Sequence, residues 1–240
     1  TQAGKSALAH DHPLNMGAIG VTGSSAANAL AAEADLVIAV GTRLQDFTTG
    51  SWTLFANPDR RILALNVAAH DAMKHAAIPL VGDAKAGLEE LSARLDGWSA
   101  TAPDPALKAA WEAEVDIATA VPADSTGNKL PTDAQVIGAV QRSLDGDAVV
   151  VAAAGGLPGE LHKLWRASRP GGYHLEYGFS CMGYEIAGGL GVKMALPDRE
   201  VVVMLGDGSY MMLNSELATS VMLGRKLIVV VLDNHGFGCI

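Results

Sequence analysis

The sequence predicts an α/β chain of two doubly wound parallel-sheet domains, and three observations point there. Hydrophobic residues make up 49% of the 240 positions but aromatic residues only 5%, which describes an Ala, Val and Leu core. Short β-branched runs recur, such as Val201 to Leu205 and Leu227 to Leu232, and a helix-like stretch, Leu213 to Leu223, lies between that pair. Each run ends in a turn of Gly, Asp or Asn, where open α/β sheets place their functional loops.

The elements follow in chain order. Asn28 to Glu33 has helical character, and Leu36 to Val40 reads as a strand that ends in the loop Gly41-Thr42-Arg43-Leu44-Gln45-Asp46. Arg61 to Val67 and Ile78 to Val81 are two further strands, and Ala84 to Leu95 is a closing amphipathic helix. Residues 1–95 are therefore expected to form one domain. From Asp96 to Pro131 the composition shifts to Ala, Pro, Asp, Ser and Thr, with Pro103, Pro105, Pro122 and Pro131 scattered through it, so residues 96–130 read as a linker carrying one helix, Ala106 to Ala118.

Thr132 and Asp133 cap a helix running to about Ser143, which opens the second domain, residues 131–240. The strand Ala148 to Ala153 and the loop Gly155-Gly156-Leu157-Pro158-Gly159 come next. Tyr184 to Leu196 is broken by glycines yet reads as one buried helix, and its small residues would admit either a cofactor ring or a closely packed neighbour. A doubly wound domain would normally continue past Ile240, and no strand precedes Lys5. The chain is accordingly expected to be a piece of a longer protein, incomplete at both ends.

Bulk properties exclude some functions. A net charge of -9 without any basic stripe argues against nucleic-acid binding. No apolar run is long enough to span a bilayer, and Thr1 to Lys5 lacks the features of a signal peptide, so no membrane partner and a cytoplasmic location are expected. Cys181 and Cys239 show no metal or disulfide spacing. His10-Asp11-His12 sits in loop-like sequence before Pro13 and is not read as a metal site, while His70, His75 and His162 are expected to be surface or satisfied histidines.

The chemistry concentrates in Gly206-Asp207-Gly208-Ser209 and Asp233-Asn234-His235-Gly236, each just past a strand. If the two strands are neighbours, Asp207 and Asn234 stand roughly 5 Å apart. Two hard oxygen ligands beside a glycine turn suit a divalent cation carrying a diphosphate. The competing reading is a pair of plain turns, since Gly and Asn both tolerate positive φ. A dinucleotide fingerprint fails, because glycine would be needed at Met211 and Asp207 would repel the pyrophosphate.

With these residues assembled, Gly206-Asp207-Gly208-Ser209 followed by Asn234 resembles the thiamine diphosphate signature of the pyruvate oxidase, acetolactate synthase and decarboxylase superfamily. Gly178-Phe179-Ser180-Cys181-Met182-Gly183-Tyr184 resembles its segment that contacts the cofactor's aminopyrimidine ring. Asp35 to Leu44, followed by Thr49-Gly50, looks like its central domain. Leu161 to Trp165, Tyr173 to Gly178 and Cys181 to Gly191 are most similar to the branch that hydrolyses trihydroxycyclohexanedione, a cyclic 1,2-dione of inositol catabolism, to 5-deoxyglucuronate. An acetolactate synthase-like or 2-keto acid decarboxylase-like enzyme is the alternative, and a non-catalytic binding module on the same fold is a second.

The resemblance implies thiamine diphosphate and Mg²⁺ as cofactors, with FAD not expected. It implies Asp207, the Asn234 side chain and the Gly236 carbonyl as metal ligands. Gly208 and Ser209 would offer N–H groups to the diphosphate, with Gly155 and Gly156 approaching it from an earlier strand. Met182 would be an apolar wedge under the folded cofactor, and the Ser180 carbonyl would accept from the 4′-amino group. The implied partners are a polyol-derived dione and further copies of the chain in a homodimer or homotetramer. The superfamily's proton-donating glutamate lies in a pyrimidine-binding domain, and no residue here is assigned that role, so residues 1–240 alone are expected to be inactive. His174, Glu176, Tyr177 and His235 are open to either substrate contact or loop anchoring, and Met211 and Met212 are expected to line the pocket.

Overall fold

A computed structural model describes residues 1–121 and 130–238. Pro122 and Cys239 lie outside the described residues. The elements are α1 (Ser25–Glu33), β1 (Leu36–Val40), α2 (Asp46–Thr49), β2 (Arg61–Asn66), α3 (Ala69–Ala72), β3 (Ile78–Val81), α4 (Ala84–Arg94), α5 (Pro105–Thr119), α6 (Asp133–Ser143), β4 (Val149–Ala152), α7 (Gly156–Leu164), β5 (Tyr173–Leu175), α8 (Tyr184–Ala195), β6 (Val201–Gly206), α9 (Asp207–Met212), α10 (Glu216–Met222) and β7 (Ile228–Leu232). They build two wholly parallel sheets, one ordered β1-β2-β3 and one ordered β5-β4-β6-β7. An α/β chain with two parallel sheets is what the composition and the alternating pattern predict.

In the first sheet, Ala39, Ile62 and Ala64 turn toward α1 and form a core with Ala31 and Phe55. The Ser24 side chain accepts from the Ala27 N–H and so starts α1. On the other face α4 comes so close to β2 that a Cβ on Gly87 would stand 2.7 Å from Leu65 Cδ2. The rest of that face is uncovered, with Leu36, Ile38, Ile78 and Leu80 all exposed.

The second sheet is covered on both sides, as a parallel sheet requires. Val150, Ala152, Val202 and Met204 pack under Ile137 of α6, Leu157, Leu161 and Leu164 of α7 and Trp111 and Val115 of α5. Val149, Val151, Val201, Val203 and Leu205 pack under Ile186 of α8. Helix α5, expected between Ala106 and Ala118, begins with Pro105 behind an Asp104 cap and buries its apolar stripe against this core. Helix α6 starts with a reciprocal capping box between Thr132 and Gln135.

Three local expectations are corrected. The Gly155 to Gly159 loop is a loop only at Gly155, because α7 begins at Gly156; Pro158 sits in its first turn, where no N–H is needed, and Leu157, Pro158, Leu161 and Leu164 are buried. Leu213 to Leu223 is not one helix: it holds only α10, and Leu213, Asn214 and Ser215 form the break that separates α10 from α9, where Asn and Ser favour turns over helix. Strand β5 was not anticipated. At three residues it is too short to show a pattern and exists through its pairing with β4.

From β4 the chain moves out to β5, then crosses back to β6 and β7. The strand order therefore reverses between β4 and β6, and the crevice beyond their carboxyl ends is where such sheets bind ligands.

Candidate functional site

A cavity of about 640 Å³ opens at that reversal point. Gly155 and Gly156, just beyond β4, form one wall, with Gly155 at φ +111°, a conformation that only glycine adopts easily. The first turn of α7 opens into the same wall, and a helix start leaves N–H groups without backbone partners. Gly208 and Ser209, beyond β6, form another, and Asn234 and Gly236, beyond β7, close the third side. The register Gly206↔Leu232 brings the last two turns level with each other.

Asp207 sits in the turn behind this lining. One terminal atom of the Asn234 amide lies 3.0 Å from Asp207 Oδ1 and 2.6 Å from the Gly236 carbonyl oxygen. Read as nitrogen, it donates to both. Read as oxygen, it makes a cluster of three oxygens that repel one another unless a cation lies among them. Adjacent ligands of an octahedral Mg²⁺ with ~2.1 Å bonds stand ~3.0 Å apart, which matches the 3.0 Å between Asn234 and Asp207, while Gly236 lies closer at 2.6 Å. A half-turn of the amide interconverts the two states, so this side chain can close the turn by itself or ligate a metal. Among the described residues no group of three or more His, Cys, Asp or Glu side chains could hold a metal. The oxygen cluster is a different kind of donor set, with one carboxylate, one amide and one backbone carbonyl.

Ser180 and Met182 also line the cavity, carried on the loop between β5 and α8. Glu176 holds that loop. Its Oε1 accepts from the Phe179 N–H at 3.0 Å and its Oε2 from the Cys181 N–H at 2.8 Å, with Ser180 between them at φ +59°. Burial works to raise the Glu176 carboxyl, but these N–H groups outweigh it and hold the pKa below the usual value. Glu176 thus anchors the loop. Tyr177 lines the cavity and stacks edge-on against Phe47 of α2 at 5.7 Å.

Other candidates fall outside. His174 meets the Tyr184 hydroxyl at 2.7 Å, and lines a neighbouring crevice with Thr42 and Arg43 instead; burial lowers its pKa. His235 turns to solvent, where its Nδ1 lies 3.0 Å from Asp233 Oδ1. Met211 and Met212, expected in the pocket, are exposed and outside the cavity, because α9 presents them to solvent. His162, by contrast, lines the cavity and is neither on the surface nor fully satisfied: it is buried, its Nδ1 meets Thr22 Oγ1 at 2.9 Å, and its Nε2 has no partner. Glu185 was missed altogether, although a lone acid in the apolar run Tyr184 to Ala187 was a readable signal.

Residues 1–91 match the family described as Thiamine pyrophosphate enzyme, central domain, and residues 153–240 match its C-terminal TPP binding domain. The chain belongs to the thiamine pyrophosphate enzymes. Among curated proteins this thiamine pyrophosphate enzyme chain is 46% identical to the 3D-(3,5/4)-trihydroxycyclohexane-1,2-dione hydrolase of Geobacillus thermodenitrificans, over all of this chain and 40% of that protein. The enzymes of the same name from Clostridium perfringens and Bacillus thuringiensis are 44% and 45% identical, again over all of this chain and 41% of each relative. The chain thus spans about two fifths of the length of the relatives it matches. No described helix is long and apolar enough to cross a membrane.

Proposed function

We propose that this chain is the cofactor-anchoring part of a thiamine diphosphate- and Mg²⁺-dependent hydrolase that cleaves a carbon–carbon bond of a cyclic 1,2-dione, trihydroxycyclohexanedione, to give 5-deoxyglucuronate in inositol catabolism. The observation that carries the proposal is the meeting of Asn234, Asp207 and the Gly236 carbonyl at the strand-order reversal. The relatives' shared name supports the substrate.

Asp207, the Asn234 side chain and the Gly236 carbonyl hold the cation in this reading. Gly208 and Ser209 donate N–H groups to the diphosphate, and Gly155 and Gly156 let it approach the end of β4. Met182 would give the cofactor an apolar support, and the Ser180 carbonyl, on the loop fixed by the Glu176 anchor, would accept from its amino group. The bound cofactor supplies the electron sink for the carbanion left when the bond beside the carbonyl breaks. The work of these residues is to bind and orient, which is worth more to the reaction than any single proton transfer. The glutamate that protonates the cofactor ring, by the resemblance, belongs to a pyrimidine-binding domain outside residues 1–240. The enzyme is proposed to act in the cytoplasm as a homodimer or homotetramer.

The test uses the full-length gene product. Asp207→Ala should weaken Mg²⁺-thiamine diphosphate binding by calorimetry at least about a hundredfold, as loss of a metal ligand does, with little change in the melting temperature because the residue lies at a strand end. Wild-type affinity in this variant would refute the anchoring site. Consumption of pyruvate without cleavage of the dione would replace the hydrolase with a 2-keto acid enzyme.

A further inference from the structure

Glu185 is not among the residues that line the cavity. It lies in the first turn of α8, fully buried, and its Oε2 accepts from the Gly183 N–H at 2.8 Å. Its other oxygen, Oε1, is buried without a hydrogen-bond partner. The free oxygen costs stability; an apolar side chain of similar size would remove that cost but leave the Gly183 N–H without its acceptor.

Its surroundings suggest what the residue does. Gly183 follows Met182 directly and adopts φ +91°. A Cβ there would stand 3.2 Å from Met212 Cβ and 3.3 Å from Leu213 Cβ, so the Met182-Gly183 turn is pressed against the end of α9. Ser209, in the first turn of α9 and itself buried, stands near the Glu185 carboxyl, where its hydroxyl works to lower a pKa that burial raises. Glu185 therefore stands behind two parts of the cavity wall that are far apart in sequence, the turn carrying Met182 and the turn carrying Ser209.

We propose that Glu185 is a positioning residue: its carboxyl, bonded to the Gly183 N–H and packed beside Ser209, holds the Met182-Gly183 turn against the Ser209 turn and so keeps the apolar prop in register with the diphosphate cradle. This rests on the thiamine diphosphate reading of the cavity. Burial raises the Glu185 pKa above the usual carboxyl range, in keeping with a group that serves through a hydrogen bond.

The test measures Mg²⁺-thiamine diphosphate affinity by calorimetry and the melting temperature of the cofactor-free protein, for the full-length gene product and its Glu185→Gln, Glu185→Leu and Asp207→Ala variants. Glutamine keeps an acceptor for Gly183 and a donor on the other side, and its affinity should stay within about threefold of wild type. Leucine should lose about tenfold or more, the range for removing a residue that orients a ligand-binding group, while its melting temperature changes little, because relief of the unpartnered oxygen offsets loss of the Gly183 acceptor. That combination separates positioning from a purely structural role, in which melting falls and affinity stays. Wild-type affinity in the leucine variant, with affinity lost in Asp207→Ala, would overturn the proposal. A glutamine variant as weak as leucine would also overturn it, since charge would then be the requirement. Unchanged affinity in Asp207→Ala would bring down the cavity reading itself and this inference with it. If the leucine variant does not fold, Glu185→Met is judged by the same outcomes.

Discussion

At the scale of single residues, the chain's two buried titratable groups beside the cavity behave differently. Burial and the nearby Lys5 charge push the His162 pKa down to about 3. In the unfolded chain the ring titrates near its ordinary ~6.5. Between these values the unfolded state binds the proton and the folded state does not, so the stability His162 contributes is present above pH ~6.5 and is lost as pH falls toward 3. The melting temperature should therefore drop between pH 7 and pH 4, and His162→Gln, which can still bond to Thr22, should flatten that slope. An unchanged slope in the variant would remove His162 as the cause. Asp207 and Asn234 could be found from sequence because strand-end carboxylates and amides beside glycine advertise a cation. Glu185 could not be interpreted that way, since its meaning depends on its burial in the folded chain and on the free oxygen that burial creates.

At the scale of elements, the glycines of α8 settle an open question. A Cβ on Gly189 would stand 2.4 Å from Val203 Cγ2, and one on Gly188 would run into the Tyr184 ring at 2.3 Å. Gly189 thus serves the packing of α8 on β6 and Gly188 makes room for a ring of α8 itself, while the cavity lies elsewhere. Gly189→Ala should cost about 1–3 kcal/mol by overpacking, read as a lower midpoint in urea unfolding, and full wild-type stability would show that α8 can shift away. Helices with explicit signals were legible from sequence, as α6 was from Thr132, Asp133 and the apolar positions behind them. Helix α7 was hidden because Gly and Pro at its start argue locally for a loop, and burial of Leu157, Leu161 and Leu164 overrides them. Strand β5 was hidden because its pairing partner is what makes it a strand.

At the scale of the whole molecule, the second sheet is covered on both faces, whereas the first leaves Leu36, Ile38, Ile78 and Leu80 in a solvent-facing row. An apolar face of this kind drives association. The 240-residue chain studied alone should sediment as more than one copy, and the Ile38→Lys, Leu80→Lys double variant should return it to a monomer. A monomeric parent would show that the face is tolerated in water. The N-terminal segment ties the two sheets together: Gln2 accepts from the Thr48 hydroxyl at 2.8 Å in the first unit, and the Ser6 hydroxyl donates to the Tyr173 carbonyl at 3.1 Å in the second. Sequence by itself determined the fold class, the parallel β-α-β step from Val201 to Leu232 and the oxygen chemistry at its two strand ends, because each of these is written in neighbouring residues. Only the tertiary structure decided that the strand order reverses between β4 and β6, that Asn234, Asp207 and the Gly236 carbonyl meet, and that Glu185 lies behind both Met182 and Ser209. Those facts depend on which distant segments share a sheet or a wall, and side-chain order along the chain does not specify that pairing.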